Sequence, residues 1–222
     1  MFTGYTDQTV DVFWGIRFNN DRAWFAEHKQ EFQDAVTTPT KALAGELYDW
    51  FQETYPDLHL NFHISRIYRD ARRLHGNGPY KENLWFTLRC DSSRGPEIPA
   101  FYFEITPHNY SYGMGFYWAK ANTMACFRRA IDADPLPLTA LAEQLNAQDT
   151  FVLTGQDYAR AKGDPGALLR PWYNKRVLDL SCVREHDDLL FSPALTDALV
   201  RGFGFLLPYY DYLETVTRRE DA

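Results

Sequence analysis

Cysteine is scarce in this chain, and the three present, Cys90, Cys126 and Cys182, lie far apart and are odd in number. They show neither CxxC pairing nor zinc-ligand spacing, which excludes a disulfide framework and leads us to expect reduced thiols in a cytoplasmic protein. Long hydrophobic runs are missing too. No stretch approaches the roughly 18 apolar residues of a membrane span, and Met1–Asp7 lacks the basic and apolar regions of a signal peptide, so neither is expected. Positive charge is in deficit: 23 Lys and Arg face 30 Asp and Glu, for a net charge of −7 and a pI near 5.3. That balance works against tight binding of duplex nucleic acid, which takes a broad basic footprint. GxSxG, HExxH, GxxxxGK[ST] and GxGxxG motifs are absent, and Gly113-Met114-Gly115 lacks the third glycine of a dinucleotide loop. No cofactor is implied, and the sequence sets no oligomeric state.

Aromatic residues, by contrast, are abundant: 6 Trp, 14 Tyr and 16 Phe make up 16% of the 222 residues. Side chains of that size supply thick packing layers, and where exposed they supply stacking platforms for bases or sugars. A chain of this length fits one large domain or two small ones and buries a substantial core. With no linker, repeat or low-complexity segment, residues 1–222 read as a single α+β domain.

The N-terminal quarter carries helical periodicity. Thr6 caps a first helix with Val10, Phe13 and Trp14 inward, and Asn19-Asn20-Asp21 interrupts it. A second helix places Trp24, Phe25, His28 and Phe32 on one face. Thr38-Pro39 starts a third, with Leu43, Leu47, Trp50 and Phe51.

The period then changes to two. Leu58–Tyr68 reads as a strand with Leu58, Leu60, Phe62 and Ile64 inward, and Leu84–Cys90 as a second. Ala100–Thr106 and Tyr110–Trp118 form a hairpin about Pro107-His108-Asn109. Helices follow at Ala121–Ile131 and Leu138–Leu145, then a long Gly- and Pro-rich loop from Gly155 to Pro171 and a late strand at Lys175–Val183. Ser192-Pro193 opens a long C-terminal helix whose stripe is Leu195, Leu199, Phe203, Leu206, Tyr210 and Leu213, with Pro208 expected to kink or divide it. The expected architecture is N-terminal helices, a central antiparallel sheet of four to five strands, and the C-terminal helix packed on that sheet.

One segment inverts the charge balance. Arg66, Arg69, Arg72, Arg73, Lys81 and Arg89 face only Asp70 and Glu82, a local surplus of four positive charges. Guanidinium groups held together repel one another unless an anion or carboxylates sit among them. The run leaves a strand and enters a loop, where a rigid sheet fixes the origin of binding groups. Arg66 and Arg69, with Arg72 or Arg73, offer a fork for phosphate or carboxylate, Tyr80 a hydroxyl donor and Lys81 a point charge. Asp70 orients an arginine, or acts as base or metal ligand if left unpaired. Simple alternation sends Arg66 and Arg69 to opposite faces unless the strand bends or bulges before Arg69.

Other groups rank lower. His59 and His63 are about 13 Å apart on a strand, too far to share a metal ion, so no metal site is expected. Glu104 reads as a salt-bridge partner. Gly113 and Gly115 leave room for a ligand or a helix to approach the backbone closely, a helix being the favoured occupant.

Arg66-Ile67-Tyr68-Arg69-Asp70-Ala71-Arg72 with Pro79-Tyr80-Lys81 resembles the signature of a bacterial family known as domain of unknown function 2461. Asn19-Asn20-Asp21-Arg22-Ala23-Trp24-Phe25 with Lys29, Gly113-Met114-Gly115-Phe116-Tyr117-Trp118 and Arg128-Arg129-Ala130-Ile131 resemble further parts of it. The chain departs from the pattern with Arg73 in place of Phe, and with Gly76-Asn77 in place of an acid–lysine pair. The resemblance covers most of the chain and implies a location for the site. It implies no activity.

Three readings follow. In the first, a small anionic ligand is bound through Arg66, Arg69, Arg72, Tyr80 and Lys81. In the second, the protein is an enzyme with Asp70 as acid or base and the arginines stabilising negative charge. In the third, it is a structural or interaction module whose arginines are each partnered internally. Recognition of a single strand or nucleic-acid end stands behind these, opposed by the net charge.

Overall fold

A computed structural model describes residues 1–70, 72, 76, 78–90 and 98–218. Arg73, His75 and Asn77 of the loop after the arginine run lie outside the described residues.

The fold is α+β. Helices α1 (Asp7–Phe18), α2 (Arg22–Phe32) and α3 (Thr38–Thr54) precede strands β1 (Leu60–Ile64), β2 (Leu84–Cys90), β3 (Ala100–Ile105) and β4 (Asn109–Gly115). Helices α4 (Ala121–Ala133) and α5 (Leu136–Asn146) follow, then β5 (Val152–Thr154), the short α6 (Arg170–Tyr173), β6 (Asp179–Glu185) and α7 (Ala194–Arg218). The strands form one antiparallel sheet in the order β1-β2-β3-β4-β6-β5. It has six strands rather than four or five. The additional strand is β5, whose three residues pair with Ser181, Leu180 and Asp179 and are too few to show an alternating pattern.

The chain divides into two compact units: residues 1–88, 102–112 and 183–201, and residues 89–101, 113–182 and 202–222. The first holds α1, α2, α3 and β1. Its core is a pile of rings in which Phe103 stacks on Tyr5 at 5.9 Å and on Phe86 at 5.6 Å. The second holds α4, α5, β5 and α6. There Phe101 at the start of β3 lies 5.2 Å from Phe203 and 5.1 Å from Tyr210 of α7.

Local chemistry explains most boundaries. Asp21 caps α2 by accepting from the N–H groups of Ala23 and Trp24, both at 2.9 Å. The buried face of α1 is Thr9, Val12, Phe13 and Ile16, rotated from the Val10–Trp14 face read from spacing. Thr38-Pro39 does not restart the chain. A widened π turn, Gln33–Thr37, carries α2 into α3, and proline falls in the first turn of α3, where a missing N–H is tolerated. All six residues of the expected α7 stripe are buried. The helix runs unbroken through Pro208, because burial of that stripe on both sides offsets the roughly 3 kcal/mol cost of an interior proline.

Two readings are corrected by the backbone. The strand expected over Leu58–Tyr68 is confined to Leu60–Ile64, because Pro56–Leu58 forms a single helical turn and His59 sits at φ +49°. As an edge strand, β1 leaves Phe62 42% exposed instead of inward. At Gly115, a Cβ would lie 2.5 Å from the Leu178 carbonyl oxygen and 2.7 Å from the Asp179 Cα. The close neighbour is therefore the backbone entering β6, not a helix.

Candidate cation-lined site

The arginine run begins where β1 ends. Ser65 N–H still donates to the Trp85 carbonyl at 2.8 Å, and pairing resumes at an isolated antiparallel bridge between Tyr68 and Tyr80. Around that bridge, Arg69 N–H donates to Pro79 at 2.8 Å and Lys81 N–H to Ile67 at 2.7 Å. Between the two pairings the chain advances three residues on one side, Ser65 to Tyr68, and five on the other, Tyr80 to Trp85. The surplus bulges the second strand and re-aims side chains. Simple alternation is broken, and Arg66 and Arg69 line the same cavity.

That cavity, of about 510 Å³, is bordered by His63, Ser65, Arg66, Tyr68, Arg69, Asp70, Lys81 and Trp85. Its cations differ in how they are held. The Nε of Arg69 donates to the Tyr80 carbonyl at 2.7 Å, and its NH2 lies 3.8 Å from Glu82. Glu82 is shared with Arg17, whose NH1 is 3.1 Å away. Among the described residues, Arg66 has no hydrogen-bond or ion-pair partner. Nor does Lys81 pair with a carboxylate among them; its Nζ lies 5.4 Å over the Trp85 ring. Burial pushes the Lys81 ammonium below its ordinary pKa; the Glu104 charge opposes that shift and Arg69 adds to it.

Neither Tyr80 nor Arg72 borders the cavity. The Tyr80 ring is buried and stacks on Phe25 at 4.1 Å, and its hydroxyl is pushed to a higher pKa chiefly by burial. Its backbone does the local work. Asn20 Nδ2 donates to the Tyr80 carbonyl at 3.0 Å, while Tyr80 N–H donates to Asn20 Oδ1 at 2.9 Å, so the amide acts as a neighbouring strand. Gly78 makes room for it, since a Cβ there would lie 2.3 Å from the Asn20 side chain. Arg72 is exposed and grips Asp70 with a fork, Nε to Oδ1 at 3.1 Å and NH2 to Oδ2 at 2.8 Å. Both carboxylate oxygens of Asp70 are thus occupied, with Arg72 N–H adding a third bond at 3.0 Å. Asp70 borders the cavity as a partnered carboxylate.

Sequence reasoning did not assign His63, Ser65, Tyr68 or Trp85 to the site, although Trp85 shares parity with Lys81 along the chain. It also missed the position of Glu104. This half-buried side chain accepts a hydrogen bond from Asn83 Nδ2, and among the described residues it has no ion pair. Burial raises its pKa, against the opposing pull of Asn83 and Lys81. Among the described residues no cluster of His, Cys, Asp and Glu could hold a metal ion, and no helix is long and apolar enough to cross a membrane.

The Asn20–Tyr80 clamp joins two segments that are far apart in sequence, one at the start of α2 and one in the loop before β2. Both fall within residues 8–212, which match one family model. Comparison with curated proteins found no match. The match over residues 8–212 covers nearly the whole chain, and the protein belongs to the family described as conserved hypothetical protein DUF2461.

Proposed function

We propose that the cavity beside the Tyr68–Tyr80 bridge binds a small ligand bearing a phosphate or carboxylate group. Arg66 and Lys81 meet the anion, and Arg69 is the fixed wall behind them. The observation that carries this reading is the convergence of three cations on one cavity, two of them without a carboxylate partner among the described residues. At about 4 Å and an effective dielectric near 20, each ligand charge gains roughly 4 kcal/mol per cation before desolvation. The downward shift of Lys81 has the same sense, because an anion would relieve the repulsion from Arg69 that contributes to it.

The remaining members of the run serve this site indirectly. Tyr80 presents its carbonyl to Arg69, and Arg72 neutralises Asp70 at the rim. With both oxygens engaged, Asp70 is a poor proton acceptor, which favours binding over an acid–base role for that residue. A cytoplasmic setting belongs to the same proposal, supported by the free thiols of Cys90, Cys126 and Cys182.

The test is a thermal-shift and calorimetric screen with inorganic phosphate and a panel of phosphorylated and carboxylated metabolites. A ligand that binds only the native state raises the melting temperature, and the rise grows with the logarithm of ligand concentration above Kd. The expected result is stabilisation that Arg66→Ala and Arg69→Ala each remove. No stabilisation by any member of the panel would contradict the proposal.

A further inference from the structure

The cavity is much larger than an oxyanion requires. A tetrahedral anion fills on the order of two water volumes, ~60 Å³, whereas the cavity measures about 510 Å³. The space is an open groove rather than an enclosed cavity, and its volume falls in the range of sites that hold an organic ligand, roughly 300–1,000 Å³. The part of the wall not made of cations is largely aromatic: His63, Tyr68 and Trp85.

Tyr68 is the unusual member. Its backbone is pinned by the bridge to Tyr80, and its ring centroid lies 5.3 Å from that of Tyr80 and 6.2 Å from that of Phe25. Those neighbours are buried, yet Tyr68 itself remains 55% exposed. The fold thus holds a large ring in place without covering it, beside three positive charges. Trp85 is differently engaged, with the Lys81 ammonium 5.4 Å from its ring centroid and the His63 ring tilted against it at 6.0 Å. Tyr68 is therefore the large ring of this wall with surface to offer, since Trp85 is half-buried and the smaller His63 ring leans on it.

Resting on the proposed anion site, we infer that its ligand is a phosphorylated small molecule carrying a planar ring, of nucleoside-monophosphate character. The phosphate meets Arg66 and Lys81 while the ring stacks on Tyr68. Two cations without carboxylate partners among the described residues match a dianionic phosphate better than a single carboxylate. Every base or aryl ring presents a π-face, so a tyrosine platform takes such rings without requiring a particular hydrogen-bond pattern.

The experiment compares inorganic phosphate, phenyl phosphate and adenosine monophosphate by titration calorimetry on the full chain. The two ring-bearing probes are expected to bind tighter than inorganic phosphate by roughly 5- to 150-fold, the span of one base stacked on an aromatic side chain. Tyr68→Leu should erase that excess, bringing both ring-bearing probes to the affinity the same variant has for inorganic phosphate, while Tyr68→Phe should keep it. Arg66→Ala should weaken all three probes. Equal affinity for all three, or an excess that survives Tyr68→Leu, overturns the inference and leaves the anion site standing. No binding of any probe overturns the site and this inference with it.

Discussion

Two arginine clusters in the first compact unit have opposite characters. At the end of β6, Arg184 donates from Nε to Asp187 at 2.9 Å and pairs with it again through NH2. The buried Tyr110 donates its hydroxyl to the same carboxylate at 3.0 Å, and Leu190 N–H adds a bond at 3.2 Å. Burial pushes Asp187 up, yet the Arg184 and Tyr110 hydrogen bonds outweigh it and leave its pKa below the ordinary carboxylate value. Around the Tyr68–Tyr80 bridge, by contrast, positive charges outnumber the carboxylates that meet them. Arg66 and Lys81 border the cavity without a carboxylate partner among the described residues, and burial shifts Lys81 away from its charged form. A closed cluster commits its charge to the fold, whereas an open one keeps the charge for something that arrives from outside.

That contrast can be broken most forcefully at Asp187. Asp187→Ala orphans the Tyr110 hydroxyl and the Arg184 guanidinium and should cost about 1–3 kcal/mol in chemical denaturation. Because the folded pKa of Asp187 is depressed, its contribution is complete above the unfolded carboxylate value and is lost as pH falls through the folded one. The variant should therefore lose the part of the acid limb that this group supplies. A loss below about 0.5 kcal/mol, within the ordinary surface range, would erase the distinction.

Next in size is Asn20→Ala, which removes both hydrogen bonds to the Tyr80 backbone. It should cost about 1–2 kcal/mol and, by loosening the strand that carries Lys81, weaken phosphate binding as well. Arg66→Ala is expected to leave stability within about 0.5 kcal/mol and to remove oxyanion binding, the reverse of the Asp187 result. A large loss of stability there would place Arg66 among the braces.

Glu104→Gln gives a smaller effect, read in pH dependence. The folded pKa of Glu104 is raised, so wild-type stability declines as pH climbs from the ordinary value of 4.5 through the folded value. The glutamine variant should be flatter over that window and slightly more stable at neutral pH. An identical profile in the variant would contradict the burial argument. Smallest of all, Arg72→Ala should leave the denaturation midpoint unchanged, since its fork is exposed, and should weaken phosphate binding only modestly, by baring the Asp70 carboxylate at the rim.

Side-chain periodicity made much of the fold legible. The bounds of β2 are those read from the alternation of Leu84, Phe86 and Leu88, and the α7 stripe is buried as its spacing implies. Period-two reasoning failed between Ser65 and Lys81 because it assumes an uninterrupted ladder, and two surplus residues on one side break it. The charge run located the cation-lined segment but could not sort its members. Arg66 and Arg72 are both exposed arginines in one loop, yet only the second has a carboxylate beside it among the described residues. Tyr68 and Tyr80 sit opposite each other in one bridge, one ring exposed and the other stacked beneath on Phe25. That difference arises from tertiary packing against α2, which no local pattern records.

The most direct test of an anion site at the open cluster is the NMR signal of the Arg66 Nε–H group, assigned with Arg66→Lys, during titration with inorganic phosphate. The account predicts a saturable shift of Arg66, accompanied by protection of the Lys81 ammonium, while Arg184 stays still. If Arg66 does not move in a folded protein, or moves only in step with Arg184, the open cluster is not an anion site.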